Sequence, residues 1–442
     1  MIEHGIPAPG SAESADLRPA QLAWLAAAVF VVSAGYGALM PLLPGWLAPM
    51  MPAATASEIA RHVGFLSGVY AAGVLVGAPL WGLVSDRAGR GRILILGLVG
   101  YVASLLLLLV PEFAGLWGIY ALRGMTGFFV AAVVPVVSAL VAEHTPQQRR
   151  AHRFAWLGAM SLLGFLSGPG LKAIADWVKS WVSSEAVSPT MSAQVVLVLS
   201  AVLGAVTMLG LAWTLPTAGA GRAATEDSSV SPAQGHPFAL VCLNGALLFV
   251  LAGFELGIVL QGQQQAGLSS RQATIMFAEC SLVMLGVNAL LFFTALMEKI
   301  SARILMASGV LLAIAGLAVL AGHASDAWMY FGVSLTSAGT GLVLPVIAYI
   351  AASASLHKLG ATMGGLAAAA GLGQTFGSAV GGWLFGAIAQ NTFGWLTLPL
   401  VVVLGFLIAR PGWWTVGREA MFHTGARGQG KGHPRRQARS TR

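Results

Sequence analysis

Charge is what this chain has least of. Asp, Glu, Lys and Arg together make up 9% of its 442 residues, against about 25% in an ordinary soluble protein. So few charges exclude an ordinary soluble globular fold. Only two cysteines occur, Cys242 and Cys280, both inside apolar runs. That excludes a disulfide framework and a cysteine-based metal site, and leaves both as small buried hydrophobes. No histidine falls within an expected apolar span, which argues against a histidine proton relay. Paired acids with a histidine are missing, as is metal-ligand spacing, so nothing points to an enzyme, a metal or a cofactor. The first 20 residues lack the basic start of a secretory signal. The run after them contains Pro41 and Pro44 without a clear cleavage site, and reads as a retained first helix.

What is present is apolar length. Hydrophobic residues make up 57% of the chain, and a spanning helix needs about 20 of them in a row. Twelve spans are expected: Gln21–Leu43, Val63–Val84, Arg92–Pro111, Gly115–Leu140, Phe154–Ala173, Gln194–Leu215, Phe238–Gln261, Gln272–Leu296, Arg303–Gly322, Trp328–Ala352, Ala361–Ala389 and Phe393–Arg410. The resulting class is an all-α membrane protein. Residues 1–20 form a polar N-terminal segment, 21–215 a first six-helix bundle, 216–237 a polar linker, 238–412 a second bundle, and 413–442 a basic tail. A faint internal echo supports two pseudo-symmetric halves. Gly164 and Gly168 fall near Gly377 and Gly381, Asp86-Arg87 matches Glu298-Lys299, and Gly127 matches Gly339, all at nearly the same offset.

The formal charge of +8 is unevenly placed. With the N-terminus in the cytoplasm, cytoplasmic segments hold nineteen of the 24 Lys and Arg residues. Arg61, Lys179 and Arg271 alone fall in loops on the other side. Positive residues stay inside, so both termini are expected in the cytoplasm. The Gly- and Arg-rich tail has no aromatic platform between its bases, which speaks against nucleic acid.

Four ionisable residues lie within the spans: Arg123, Lys172, Glu255 and Glu279. Such residues are expensive in a bilayer and mark function by default. Counting along the helices puts Arg123, Glu255 and Glu279 in one layer, where a change of pairing could load or release a proton. Lys172 lies near a boundary and suits snorkelling. Tyr36, Asn244, Gln261, Asn288, Tyr349 and Gln374 are polar groups on otherwise apolar helices, and are candidates for a cargo cavity.

Three stretches resemble the major facilitator superfamily, in particular its twelve-helix drug/proton antiporter branch. The first is Gly82, Asp86, Arg87, Gly89, Arg90 and Arg92 between the second and third spans, with Gly91 where a base is common. The resemblance implies a conformational latch whose partner helix, the eleventh, begins near Ala361–Thr362. The absent side chain of Gly82 suits a close helix approach. The second is Arg123-Gly-Met-Thr-Gly127, similar to the family's Arg-x-x-Gln-Gly element with Thr126 in place of Gln, and implies a part in proton coupling. The third is Gly164, Gly168 and Pro169, similar to the antiporter signature of the fifth helix, where a kink is expected. Its final glycine pair is missing: Lys172 and Ala173 stand there.

Together these imply a monomeric alternating-access transporter in a bacterial inner membrane, driving efflux of a small hydrophobic molecule with protons. Its expected partners are cargo, protons and the lipid bilayer. A dedicated exporter or importer of one metabolite, such as a siderophore, sugar or amino acid, is the rival within transport. A membrane enzyme or sensor is disfavoured. Glu255 is the first choice for the proton carrier, and Glu279 the second. Many drug antiporters carry an acid in the first helix, where this chain has none.

Overall fold

The computed structural model describes residues 17–110, 115–145, 147–182, 189–215, 237–264, 270–294, 296–354 and 359–410. The linker, the basic tail and most of the N-terminal segment lie outside that set, as do the side chains of Glu298, Ala361 and Thr362. Every regular element among the described residues is helical.

Among the described residues, eleven continuous helical stretches are long and apolar enough to cross a membrane. The last, Gly365–Ala409, is 45 residues long. As one helix it would reach about 68 Å, twice the hydrocarbon thickness. It folds back instead, at Ala389–Asn391, where Ala389 has φ 49°. The chain therefore crosses twelve times, as its apolar runs require.

The spanning helices are α1 (Pro19–Met50, with a 3-10 turn at Met40–Leu42), α2 (Ala56–Ala88), α3 (Arg90–Leu107) and α4 (Leu116–Glu143). They continue with α5 (Gln147–Val182), α6 (Pro189–Thr214), α7 (Pro237–Gln264) and α8 (Ser270–Phe293). The last four are α9 (Ala302–Gly322), α10 (Asp326–Ala354), α11 (Leu359–Ile388) and α12 (Thr392–Ala409). The end carrying Arg87, Arg90 and Arg92 is the basic end, and its opposite the far end.

Two boundaries differ from the sequence reading. The second helix begins at Ala56, not Val63, because Thr55 and Glu58 form a capping box. Thr55 N donates to Glu58 Oε2 at 2.7 Å, and Glu58 N donates to Thr55 Oγ1 at 3.3 Å. His62, read as a loop residue, therefore lies inside α2. The fifth helix runs through Pro169 without a break, from Gln147 to Val182. Of the cysteines, Cys280 is buried as expected, whereas Cys242 is exposed on the apolar exterior.

Small residues set the helix crossings, as expected where lipid supplies no hydrophobic drive between helices. Gly168 sits against the backbone of Gly37 on α1, where an added Cβ would lie 2.6 Å from Ala38 N. Gly381 meets Gly253 on α7 in the same manner, its Cβ position 2.9 Å from Gly253 Cα. So α5 packs on α1 as α11 packs on α7, the relation that the echo of Gly164 and Gly168 in Gly377 and Gly381 implied. The other glycine echo is not used equivalently: Gly127 abuts Tyr70 of α2, whereas Gly339 abuts Gly309 of α9.

Candidate functional site

The two bundles meet along α2 and α11. In the far half, Ser57 hydrogen-bonds the carbonyl of Gly386. A Cβ on Gly64 would stand 2.6 Å from Gly382 Cα, and one on Gly68 would stand 3.0 Å from Thr375 O. Contact continues to Leu75, which meets Gly371. Towards the basic end the facing side chains of α11, 361–364, lie outside the described residues. No described atom lies within 4 Å of a Cβ built on Gly82, and Leu83 and Val84 are exposed. The close approach expected at Gly82 therefore falls on residues whose side chains lie outside the described set.

The turn at the basic end is itself tightly made. Gly89 joins α2 to α3 with φ 96°, a left-handed value that glycine adopts readily, and its N–H closes α2 by donating to Ser85 O at 3.1 Å. One residue further on, Arg90 is held by two acids. Its Nη2 lies 3.1 Å from Asp86 Oδ1 and 2.7 Å from Oε1 of Glu143, at the end of α4. Its Nε also donates to Glu143, at 2.7 Å. Exposed pairs add little stability, so the clamp serves to orient α2, α3 and α4 relative to one another. Arg87 and Arg92 are exposed. Sequence reasoning missed Glu143. The available signal was an acid at the end of a span that finishes on the arginine-rich side.

Between the ends of the seam, Arg123 is 1% exposed. Its guanidinium carbon lies 4.7 Å from the ring centroid of Tyr70 on α2. Its Nε and Nη2 have no hydrogen-bond partner, nor has the hydroxyl of neighbouring Tyr101. A buried guanidinium without a counter-charge costs several kcal/mol, and a desolvated cation–π contact returns about 2 kcal/mol. Tyr70 in turn packs on Tyr36 of α1, with ring centroids 5.0 Å apart, and Tyr36 packs on Phe165 of α5 at 5.4 Å. Tyr36 is close enough to interact electrostatically with both Arg123 and Glu255. Glu255, on α7, is half-buried and has no hydrogen bond or ion pair among the described residues. Contacts thus run Arg123–Tyr70–Tyr36, with Glu255 of the other bundle within electrostatic range of Tyr36. Tyr70 and Tyr101 carried no sequence signal, because nothing marks a membrane tyrosine as a neighbour of an arginine.

Glu279 turns to another partner. Its Oε1 accepts a 2.5 Å hydrogen bond from Ser334 of α10, and its Oε2 is buried without a partner. Neither acid forms an ion pair with Arg123 in this conformation. The other polar candidates divide. Asn244 donates to Leu366 O at 2.9 Å and ties α7 to α11, and Asn288 donates to Met284 O within its own helix at 2.8 Å. Tyr349 and Gln374 are exposed, Gln374 on the face of α11 between its contacts to α7 and to α2. Gln261 is 1% exposed with both amide atoms unpartnered. In α5, Gly164 and Gly168 let α1 approach, and Ser161 shares a 2.9 Å hydrogen bond with Ser33 of α1. Lys172 lies on the same helix, half-buried.

Twelve spanning helices in two glycine-packed bundles, with buried charge between them, define a membrane transporter of the paired-bundle class. The family model described as Major Facilitator Superfamily matches residues 25–291. The chain belongs to that superfamily. Among its relatives is the class D tetracycline resistance protein of Salmonella ordonez, 27% identical over 391 residues, covering 85% of this chain and 92% of the relative. The class B tetracycline resistance protein of Escherichia coli is 37% identical over 135 residues, 30% of this chain and 32% of the relative. Among solved structures, the human organic anion transporter TETRAN superposes with a TM-score of 0.67 at 18% identity, covering 88% of this chain and all of that one. That likeness is one of fold.

Proposed function

We propose that this chain exports a small, mostly hydrophobic molecule across a bacterial inner membrane by exchange for protons, working as a monomer. The basic end faces the cytoplasm, where nineteen of the 24 Lys and Arg residues then lie. Both termini and the linker at 216–237 are on that side. The relatives named for tetracycline resistance support an antimicrobial-like cargo.

The observation that carries this reading is the position of Glu255. It is an acid of the second bundle with no hydrogen bond or ion pair among the described residues, within electrostatic range of Tyr36, whose ring packs tilted on the Tyr70 ring that covers Arg123. The far end of the α2–α11 seam is closed, and cargo and Glu255 then communicate with the cytoplasm through the basic end. Rocking of the bundles about the midplane brings the basic end of α2 against α11 and opens the far end. Movement of α7 relative to α1 and α2 changes the distance from Glu255 to Arg123. A proton taken up when Glu255 is remote from that cation is released when the two approach, because the nearby positive charge favours the carboxylate. Tyr36, Tyr349 and Gln374 line the route of the cargo. Glu279, bonded to Ser334, acts as a structural acid, and the Asp86–Arg90–Glu143 clamp positions the latch.

Proteoliposomes under an imposed pH gradient test the reading, with tetracycline and a quinolone as first cargoes. Wild type is expected to move cargo against its gradient with proton counterflow. Glu255→Gln is expected to abolish gradient-driven movement while retaining cargo binding. Undiminished proton coupling in Glu255→Gln would remove Glu255 from the mechanism.

A further inference from the structure

One side of α2 looks away from the central tyrosines. Around this helix, Tyr70 and Ser67 face α1, Gly73 and Gly77 face α4, and Gly64 and Gly68 face α11. The remaining face carries Phe65, Ala72, Val76 and Leu83, three of them 43–62% exposed. It is the outer surface of a spanning helix and so meets lipid. There, between α2, α4 and α11, lies a groove of about 530 Å³. Its floor is made of small residues, Gly68, Ala72 and Ala379, and its rims of Phe65, Trp117 and Phe376.

The groove is apolar except at one end. His62 Nδ1 and the Tyr120 hydroxyl are 2.9 Å apart, and that hydroxyl also lies 3.3 Å from the carbonyl of His62. His62 falls two turns into α2 from the far end, about 9 Å along the helix. Trp117, at the start of α4, is 82% exposed, as befits a membrane-interface aromatic. The groove therefore runs from a polar pair near the interface into hydrocarbon depth. Its volume falls within the range of about 300–1,000 Å³ that holds a single organic ligand.

We propose that this groove binds one acyl chain of a bilayer phospholipid, with the ester end at His62 and Tyr120, and that the bound chain holds the far end of the transporter closed. The surrounding medium supplies the occupant, since only an amphipath already in the bilayer matches an apolar slot with a polar mouth at that depth. The effect on conformation follows from ownership of the walls. Helices α2 and α4 belong to one bundle and α11 to the other, and the floor is the seam itself: Gly68 meets Ala379 and the carbonyl of Thr375. Opening the far end parts that floor. A lipid chain fits only the closed arrangement, and a ligand shifts a two-state equilibrium by its difference in affinity.

The test uses the full chain with Cys242→Ser and Ser57→Cys, the latter placing a thiol at the far end of the seam. Phosphatidylcholine brominated on one chain is titrated into the detergent-solubilised protein, and tryptophan quenching is compared with that of the same protein carrying Trp117→Phe. The difference is expected to saturate at one lipid per protein. Ala379→Phe, which fills the floor, and His62→Ala, which leaves packing intact but removes the polar mouth, are each expected to weaken it at least tenfold. Lipid is also expected to slow labelling of Cys at position 57 by an impermeant maleimide several-fold, and to lose that effect in both variants. Non-saturating quenching equal in all proteins, or labelling insensitive to lipid, would overturn the proposal. So would displacement of the lipid signal by tetracycline, which would make the groove a cargo site.

Discussion

The two ends of the α2–α11 seam are built from the same residue types, and among the described residues only the far end shows its contacts. At the far end, Gly64 and Gly382 touch backbone to backbone. At the basic end, Gly82 has no described neighbour within 4 Å. Under the rocking proposed above, Gly82 is the position that would take up at the basic end the contact that Gly64 makes at the far end, so one residue type would serve two packings.

Four substitutions break or sharpen that contrast. The largest effect is expected from Gly64→Val, whose side chain would drive into Gly382 and the carbonyl of Ser378. Overpacking costs about 1–3 kcal/mol, enough to force the far end apart. Transport should fall more than tenfold, and a thiol at position 57 should label faster. Gly82→Val is the complementary case. No described atom obstructs it, so thermal stability in this state should change by less than about 0.5 kcal/mol, while transport drops severalfold to tenfold. Full transport by Gly82→Val would mean that no close approach occurs there. Asp86→Asn weakens the hold on Arg90 but leaves Glu143 in place. It should reduce turnover severalfold with membrane insertion unchanged on fractionation, and wild-type turnover would remove the latch. Ser334→Ala is expected to have the smallest effect, since it frees Glu279 without touching the seam. A change of under about 1.5 kcal/mol in stability and near-normal proton coupling should result. Loss of coupling in that variant would restore Glu279 as a carrier.

How much was legible in the sequence follows from range. Gly89, Arg90 and the turn between α2 and α3 were readable because their chemistry is local: a glycine with positive φ and bases at a membrane boundary. The twelve crossings were readable because apolar length alone enforces them. The start of α2 was misplaced, although Thr55 and Glu58 spelled a capping box, because polar residues in its first two turns resembled a loop. Partners across helices were out of reach. Counting residues put Arg123, Glu255 and Glu279 at one depth, but depth carries no azimuth. Only packing showed that Glu279 turns to Ser334 while Glu255 stays within electrostatic range of Tyr36. Asn244, a cavity candidate by polarity, spends its amide on a backbone carbonyl of α11, a choice no single-helix pattern reveals.

The reversal at Ala389 has a consequence for how the protein is made. Helices α11 and α12 leave the ribosome as one apolar stretch of 45 residues with no charged residue to hold a loop at the membrane face. The bases that flank it, Lys358 and Arg410, hold its two ends on the basic side, so the turn between them is left to geometry. The neighbouring Gln390 donates its amide to the carbonyls of Leu320 and His323 at the end of α9, at 2.5 and 2.7 Å. At the other end, Arg303 at the start of α9 donates to the carbonyls of Leu407 and Ile408, which close α12. Helix α9 thus serves as a template with a lock at each end, already inserted when the final hairpin arrives. Biogenesis of the second bundle finishes by docking onto a measured length.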